Sequence, residues 1–147
     1  MPEMNSRTAG GTLTRILIVE DQMVARKALA IVLALEPTFK VVGETGSLTE
    51  TRALLGQIDV DIVLLDLQLP DGNSLIMLPE IRTAYPAAGV VVLTAFTEPS
   101  LLALAQAMGA TVMQKSTGLR ELRRVLQQLS SSLHRLPPRS EVVDRAQ

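Results

Sequence analysis

Five short apolar runs alternate along the chain with longer segments whose apolar residues recur every three or four positions. Each short run is apolar at consecutive positions, which is typical of strands whose two faces are both covered by helices. Strands are therefore predicted at residues 16–19, 39–43, 62–65, 90–94 and 111–113.

The segments between these runs have the spacing of amphipathic helices. Pro37 and Pro86 end the first and third helical segments, since proline cannot continue a helix. Ser47 and Thr97 are predicted to cap the second and fourth segments. In the first helix, the predicted buried stripe consists of Val24, Leu29, Val32 and Leu33. The predicted helices span residues 23–35, 47–57, 74–85, 97–108 and 118–133.

Strict alternation of strands and helices predicts an α/β fold with a parallel sheet, because parallel strands need crossover connections. Right-handed crossovers make such a sheet doubly wound, and five strands favour the flavodoxin-like (βα)5 order 2-1-3-4-5. Residues 13–135 are predicted to form this single domain. Residues 1–12 and 136–147 are rich in small, polar or proline residues and are interpreted as a flexible N-terminal tail and a C-terminal tail or linker remnant.

Composition narrows the functional classes. The chain has 147 residues and no cysteine, which excludes disulfides and thiolate chemistry. Its only histidine is His134, so multi-histidine metal sites are excluded. A net charge of -1 and 2% aromatic residues disfavour direct nucleic-acid binding. No apolar run is long enough to span a membrane and the N-terminus has no apolar signal core, so a cytoplasmic protein without membrane contact is expected.

Polar residues follow four of the five predicted strands. Glu20 and Asp21 follow the first strand, Asp66 the third, Thr94 ends the fourth and Lys115 follows the fifth. Each alone would usually be a turn residue, a cap or a solvated charge. Together they lie at the carboxyl edge of a parallel sheet, where ligands of such folds bind. Three converging carboxylates repel one another, and a bound divalent cation would relieve this repulsion. Mg²⁺ prefers oxygen ligands of this kind.

A second acidic pair has metal-like spacing but the opposite location. Asp59 and Asp61 precede the third strand, which puts them at the amino edge of the sheet. We interpret them as loop residues.

Four segments in this order resemble a response regulator receiver domain, over about residues 13–134. They are Val19-Glu20-Asp21, Leu64-Leu65-Asp66-Leu67-Gln68-Leu69-Pro70, Leu93-Thr94-Ala95 and Lys115. The resemblance implies that Asp66 accepts a phosphoryl group from a sensor histidine kinase or a histidine phosphotransfer protein. It also implies that Thr94 and Lys115 contact that phosphoryl group. The implied Mg²⁺ ligands are Glu20, Asp21, Asp66 and the backbone carbonyl of Gln68.

Some positions depart from the family pattern. The aromatic switch residue that usually precedes the lysine by three positions is Val112 here. A glycine that often follows the loop proline by four positions is Ser74. Hydrolysis of an aspartyl phosphate needs an in-line water, and Gln68 and Phe96 are the residues predicted to tune it. Phe96 cannot hydrogen-bond that water, so a long-lived phosphoryl group is expected.

The leading hypothesis is a phosphorylation-activated signalling switch that acts on a downstream protein or through a homodimer. Its chemistry would be Mg²⁺-dependent phosphorylation and dephosphorylation of itself, without turnover of a separate substrate. One alternative is an interaction module that keeps the fold without phosphorylation. Another is the receiver part of a DNA-binding transcription regulator. A haloacid-dehalogenase-type hydrolase is disfavoured, because Asp66 is followed by Leu67 and Gln68 and not by the second aspartate of Asp-x-Asp.

Overall fold

A five-stranded parallel sheet forms the centre of the molecule, which a computed structural model describes at residues 7–8, 11–95 and 98–135. The spatial order of the strands is β2-β1-β3-β4-β5, so the predicted flavodoxin-like order is confirmed. The strands are β1 (Thr14–Val19), β2 (Phe39–Thr45), β3 (Ile62–Asp66), β4 (Gly89–Thr94) and β5 (Thr111–Gln114).

In the part of the chain that the structure describes, five α-helices connect or follow the strands, as the apolar spacing predicted. Ser47 caps the second helix, and its hydroxyl accepts a hydrogen bond from the amide of Glu50 at 3.1 Å. The helices are α1 (Met23–Ala34), α2 (Leu48–Leu54), α3 (Leu78–Ala84), α4 (Pro99–Ala107) and α5 (Leu119–Arg135).

Helices cover both faces of the sheet, which explains why the strands are apolar at consecutive positions. On one face, α1 and α5 supply the buried residues Leu29, Leu33, Leu122 and Leu126. On the other face, α2, α3 and α4 supply Leu48, Ile81 and Ala105. The two faces of the sheet are thus buried under helices, and the group of three acidic side chains that could hold a metal among the described residues lies at its carboxyl end.

Details of three helices differ from the sequence-based predictions. Val24 was expected in the buried stripe of α1 but is 84% exposed, because its position faces away from the sheet that Leu29 and Leu33 contact. Glu98 caps α4, and its carboxylate accepts from the amide of Ser100 at 3.2 Å, whereas the predicted cap Thr97 lies outside the described residues. The third helical segment begins as a 3-10 turn, Ser74–Met77, and becomes α-helical only at Leu78.

Two short antiparallel pairs were not predicted. Residues Arg7–Thr8 pair with Gly11–Thr12, within the stretch expected to be a flexible tail. Gln68–Leu69 pair with Gly72–Asn73, so the segment after β3 is a small hairpin rather than an irregular loop. Among the described residues, none of the helices has the length and apolar character that crossing a membrane requires.

Candidate functional site

Strand register brings the candidate site residues to one edge of the sheet. Val19 pairs with Leu65, and Asp66 pairs with Leu93, so the residues that end β1, β3 and β4 stand side by side. Glu20 and Asp21 leave β1 on one side of the point where the strand order reverses, and Asp66 stands on the other side. This is the position where doubly wound sheets bind their ligands.

Three carboxylates form a compact cluster at this edge. One oxygen each from Glu20, Asp21 and Asp66 lies within 4.8 Å of the other two. Glu20 is 2% exposed and Asp66 is 7% exposed, whereas Asp21 is half-buried. The cluster is therefore open to solvent mainly at Asp21.

Lys115 joins two of the carboxylates. Its Nζ donates to Oε1 of Glu20 at 2.8 Å and to Oδ2 of Asp66 at 3.3 Å. Burial disfavours the ammonium form of Lys115, but the hydrogen bond and the charge of Glu20, together with Asp66, outweigh this effect and raise its pKa. Lys115 therefore supplies a fixed positive charge at the site.

Asp66 is the carboxylate whose acidity is most altered. Its burial, followed by the negative charge of Glu20, raises its pKa from 3.8 to about 6, although Lys115 and the amide of Gln68 act in the opposite direction. That amide donates to Oδ1 of Asp66 at 3.3 Å. Near neutral pH the carboxylate is mainly ionised, as a nucleophile must be, but its charge is poorly compensated.

The donor set fits a divalent cation of the oxygen-seeking kind. Three carboxylates and one ammonium leave about two negative charges uncompensated when all are ionised, which a divalent ion would balance. All the candidate ligand atoms are oxygens, which suits Mg²⁺ better than a metal that prefers nitrogen or sulfur. The cluster could therefore hold Mg²⁺.

The other predicted site residues have different environments. Thr94 ends β4 and is fully buried, whereas the side chain of Gln68 is exposed. Val112 is half-buried in β5 and packs against the core on the side of α4. Phe96 lies outside the described residues.

The acidic pair at the opposite edge behaves as a loop feature. Oδ2 of Asp61 accepts a hydrogen bond from the backbone amide of Arg15 at 2.8 Å, and Asp59 lies 3.9 Å from the guanidinium of Arg15. The two residues thus contact the amino end of β1, at the edge of the sheet opposite to Asp66.

Two supporting contacts behind the acidic cluster were missed by the sequence analysis. The amide of Glu20 donates to the carbonyl of Thr45 at 2.9 Å, and Nη1 of Arg26 donates to the carbonyl of Glu20 at 2.8 Å. Both contacts use backbone atoms of Glu20, so they could not be predicted from a pattern of side chains in the sequence. Arg26 follows Asp21 by five positions on α1, which was the only available signal.

Residues 16–127 of the chain match the response regulator receiver domain. The chain belongs to this family. The receiver domain is the part of response regulators that takes part in two-component signalling, and the match includes every predicted site residue from Glu20 to Lys115.

The chain matches part of several longer proteins. The chain is 30% identical over 99 residues to the DNA-binding transcriptional activator DevR/DosR of Mycobacterium tuberculosis, which is 67% of this chain and 46% of the relative. It is 35% identical over 80 residues to a protein-glutamate methylesterase/protein-glutamine glutaminase of Agrobacterium fabrum, covering 54% of this chain and 23% of the relative. The chain therefore matches less than half the length of both relatives.

Solved structures agree on the fold. A CheY-like receiver domain protein from Methanospirillum hungatei JF-1 superposes with a TM-score of 0.77 at 20% identity, over 84% of this receiver domain chain and 98% of that one. A two-component response regulator of the LuxR family from Aurantimonas sp. SI85-9A1 gives a TM-score of 0.73 at 25% identity, over 82% and 87%.

Proposed function

We propose that this receiver domain is a signalling switch that accepts one phosphoryl group on Asp66 with Mg²⁺ at the acidic cluster. The observation that carries the proposal is the convergence of Glu20, Asp21 and Asp66 within 4.8 Å, with Lys115 bonded to two of them. Separate strand ends supply these residues, so their meeting depends on the whole sheet.

The proposed step is transfer from a phosphohistidine of a sensor kinase or phosphotransfer protein. An Oδ atom of Asp66 forms the new P–O bond while the P–N bond to the imidazole breaks. The imidazole nitrogen keeps the electron pair of that bond and takes a proton from solvent. Bound Mg²⁺, held by Glu20, Asp21, Asp66 and the Gln68 carbonyl, would neutralise charge on the phosphoryl oxygens.

Lys115 and Thr94 have complementary roles in this proposal. The ammonium of Lys115 already lies 3.3 Å from Asp66, so it can pair with a phosphoryl oxygen after a small movement. The hydroxyl of Thr94 stands at the end of the neighbouring strand and would donate to another oxygen. These two movements would alter the surface of β4, α4 and β5, which we propose is read by a downstream partner or by a second copy of the chain.

Two features of the switch depend on unusual positions. Val112 stands where the family usually has an aromatic ring, so we propose that signalling proceeds without rotation of a bulky side chain at that position. Gln68 and Phe96 are proposed to set the lifetime of the phosphoryl group.

A second candidate function is that of the receiver part of a DNA-binding transcription regulator. The match to a relative named as a DNA-binding transcriptional activator supports the view that this domain regulates a DNA-binding output. The net charge of -1 argues against direct DNA binding by these 147 residues themselves.

Intact mass after incubation with acetyl phosphate and Mg²⁺ tests the proposed function. We expect a gain of one phosphoryl group in the parent protein and in Asp59→Ala, whose altered carboxylate lies at the opposite edge of the sheet. We expect no gain in Asp66→Ala. A parent protein that stays unmodified would contradict the proposal and favour the phosphorylation-independent interaction module.

A further inference from the structure

The hairpin that follows Asp66 is bound at its tip to the start of α2. Asp71 occupies the turn between the paired segments Gln68–Leu69 and Gly72–Asn73. Its Oδ1 accepts from the amide of Leu48 at 2.8 Å, and its Oδ2 accepts from the amide and hydroxyl of Thr49 at 3.1 and 3.0 Å. These bonds, first of all the one from Leu48, hold the pKa of Asp71 below its usual range.

The same stretch of chain also contacts the other side of the acidic cluster. Thr45, three residues before Leu48, accepts a hydrogen bond from the amide of Glu20. Gly46 is packed closely there, because a Cβ at this position would lie 2.9 Å from Nη1 of Arg26 and 3.6 Å from Cα of Asp21. The junction between β2 and α2, residues 45–49, therefore touches both acidic segments.

The two segments that the junction joins are the ones that carry the proposed metal ligands. Glu20 and Asp21 lie on one segment, and Asp66 and the Gln68 carbonyl lie on the other. The hairpin is also held by the hydrogen bond that the amide of Ser74 donates to the carbonyl of Leu67 at 2.9 Å and by Leu69, which is buried in the core. Among the described residues, the hydrogen bonds of Asp71 are the ones that attach the hairpin tip to the neighbouring helix.

We propose that Asp71 is a positioning residue for the Mg²⁺ site, which fixes the Gln68 carbonyl relative to Glu20 and Asp21 through the β2–α2 junction. This inference rests on the proposed function, since it assumes that the cluster binds Mg²⁺. Asp71 itself lies beyond the cluster and ligates nothing in this proposal. Loss of a group that orients a ligand typically weakens metal binding by about 10-fold to 100-fold.

Titration of the metal-free protein with MgCl2, followed through backbone amide NMR signals, tests the inference. Asp71→Asn is the main variant because it keeps the volume of the side chain and one carbonyl acceptor, but offers an amide NH₂ where Thr49 needs an acceptor. We expect Mg²⁺ to bind severalfold more weakly to Asp71→Asn and about tenfold more weakly to Asp71→Ala. Before Mg²⁺ is added, we expect the amide signal of Gln68 to shift in both variants.

Glu80→Gln is the matched control. The carboxylate of Glu80 also contacts α2, because it accepts hydrogen bonds from Nε and Nη2 of Arg52, both at 3.0 Å. Glu80 lies on α3 and not on the hairpin. The Glu80→Gln variant should bind Mg²⁺ with the same affinity as the parent, even if its thermal stability changes. If the parent binds Mg²⁺ and both Asp71 variants bind it equally well, the inference about Asp71 is wrong, but the proposed metal site stands. A parent that shows no Mg²⁺ binding would overturn the proposed metal site and the inference together.

Discussion

Lys115 makes a shorter hydrogen bond to Glu20 than to the predicted phosphoacceptor Asp66. The two distances from its Nζ atom are 2.8 Å and 3.3 Å. Glu20 has one methylene more than aspartate, and its carboxylate is almost fully buried. Glu20 therefore holds the lysine beside the acceptor, from where its ammonium needs only a small displacement to reach a phosphoryl oxygen.

Replacement of Lys115 by alanine should leave the fold intact but abolish the response to phosphorylation. The head group lies at the polar edge of the sheet, so its loss opens no cavity in the apolar core. Without its charge, the phosphoryl group loses the ammonium that lies 3.3 Å from Asp66. The measurement is the change in oligomeric state or partner binding on addition of acetyl phosphate and Mg²⁺.

Lys40→Ala is the control for this prediction, because Lys40 is an exposed lysine of β2. It should respond like the parent. If Lys115→Ala also responds like the parent, Lys115 does not sense the phosphoryl group.

Replacement of Asp21 by alanine should weaken Mg²⁺ binding at least tenfold, on the order of 1.4 kcal/mol. Asp21 is the most accessible of the three clustered carboxylates and supplies one of the oxygens within 4.8 Å of the others. A titration of the parent and the variant with MgCl2 gives the comparison. Asp59→Ala, at the amino edge of the sheet, serves as the control, and identical affinities in all three proteins would reject the site.

The fold and the positions of the site residues could be predicted from sequence because both depend on strand order. Once the strands are parallel, the residues that follow them must meet at one edge, which is why Asp66, Thr94 and Lys115 were placed correctly on strand ends. The register needed no knowledge of side-chain conformations.

Contacts made through the backbone or between distant turns were not predictable in this way. Asp71 lies 23 residues from Leu48, and only the folded hairpin brings its carboxylate to that amide. Val24 was misplaced for a related reason, because apolar spacing alone does not identify which of two apolar stripes on α1 faces the sheet. Val24, Ala28, Ile31 and Leu35 form the exposed stripe, and Leu29 and Leu33 lie on the buried one.

Replacement of Phe96 by glutamate should shorten the lifetime of the phosphoryl group on Asp66. A carboxylate two positions after Thr94 can orient the hydrolytic water, which a phenyl ring cannot. A single positioning group should change the decay rate by about tenfold, within the range for such groups. Decay of the phosphorylated mass in the parent and in Phe96→Glu gives the two rates, and equal rates would show that position 96 does not control the water.

Replacement of Ser74 by alanine should stabilise the protein. The Oγ atom of Ser74 is fully buried at the start of the 3-10 turn, and no partner for it is found among the described residues. Removing a buried hydroxyl without a partner should raise the free energy of unfolding by about 1 kcal/mol, since its desolvation is no longer required. Urea unfolding at pH 7 measures the difference.

Ser130→Ala provides the contrast, because the Ser130 hydroxyl is also buried but is hydrogen-bonded to Thr14. That variant should be less stable than the parent. A loss of stability in Ser74→Ala would mean that its hydroxyl has a partner after all.

The raised pKa of Asp66 predicts a specific dependence of stability on pH. The folded state binds the Asp66 proton more tightly than the unfolded state, since the folded pKa is about 6 against an ordinary value of 3.8. Ionisation of Asp66 therefore destabilises the fold. The loss of stability is absent below the unfolded pKa, grows between the two pKa values and is complete above about 6.

Replacement of Asp66 by asparagine should remove this loss of stability. In urea unfolding with a chelator present, Asp66→Asn should be more stable than the parent at pH 7 by about 1 kcal/mol, a value reduced for solvent screening at the edge of the sheet. The advantage should shrink as the pH falls from 6 toward 4, because the parent then gains its proton. Asp59→Asn, altered at the exposed opposite edge, should not show this pH-dependent gain. A constant difference between Asp66→Asn and the parent from pH 4 to pH 7 would show that the charge of Asp66 is not what destabilises the fold.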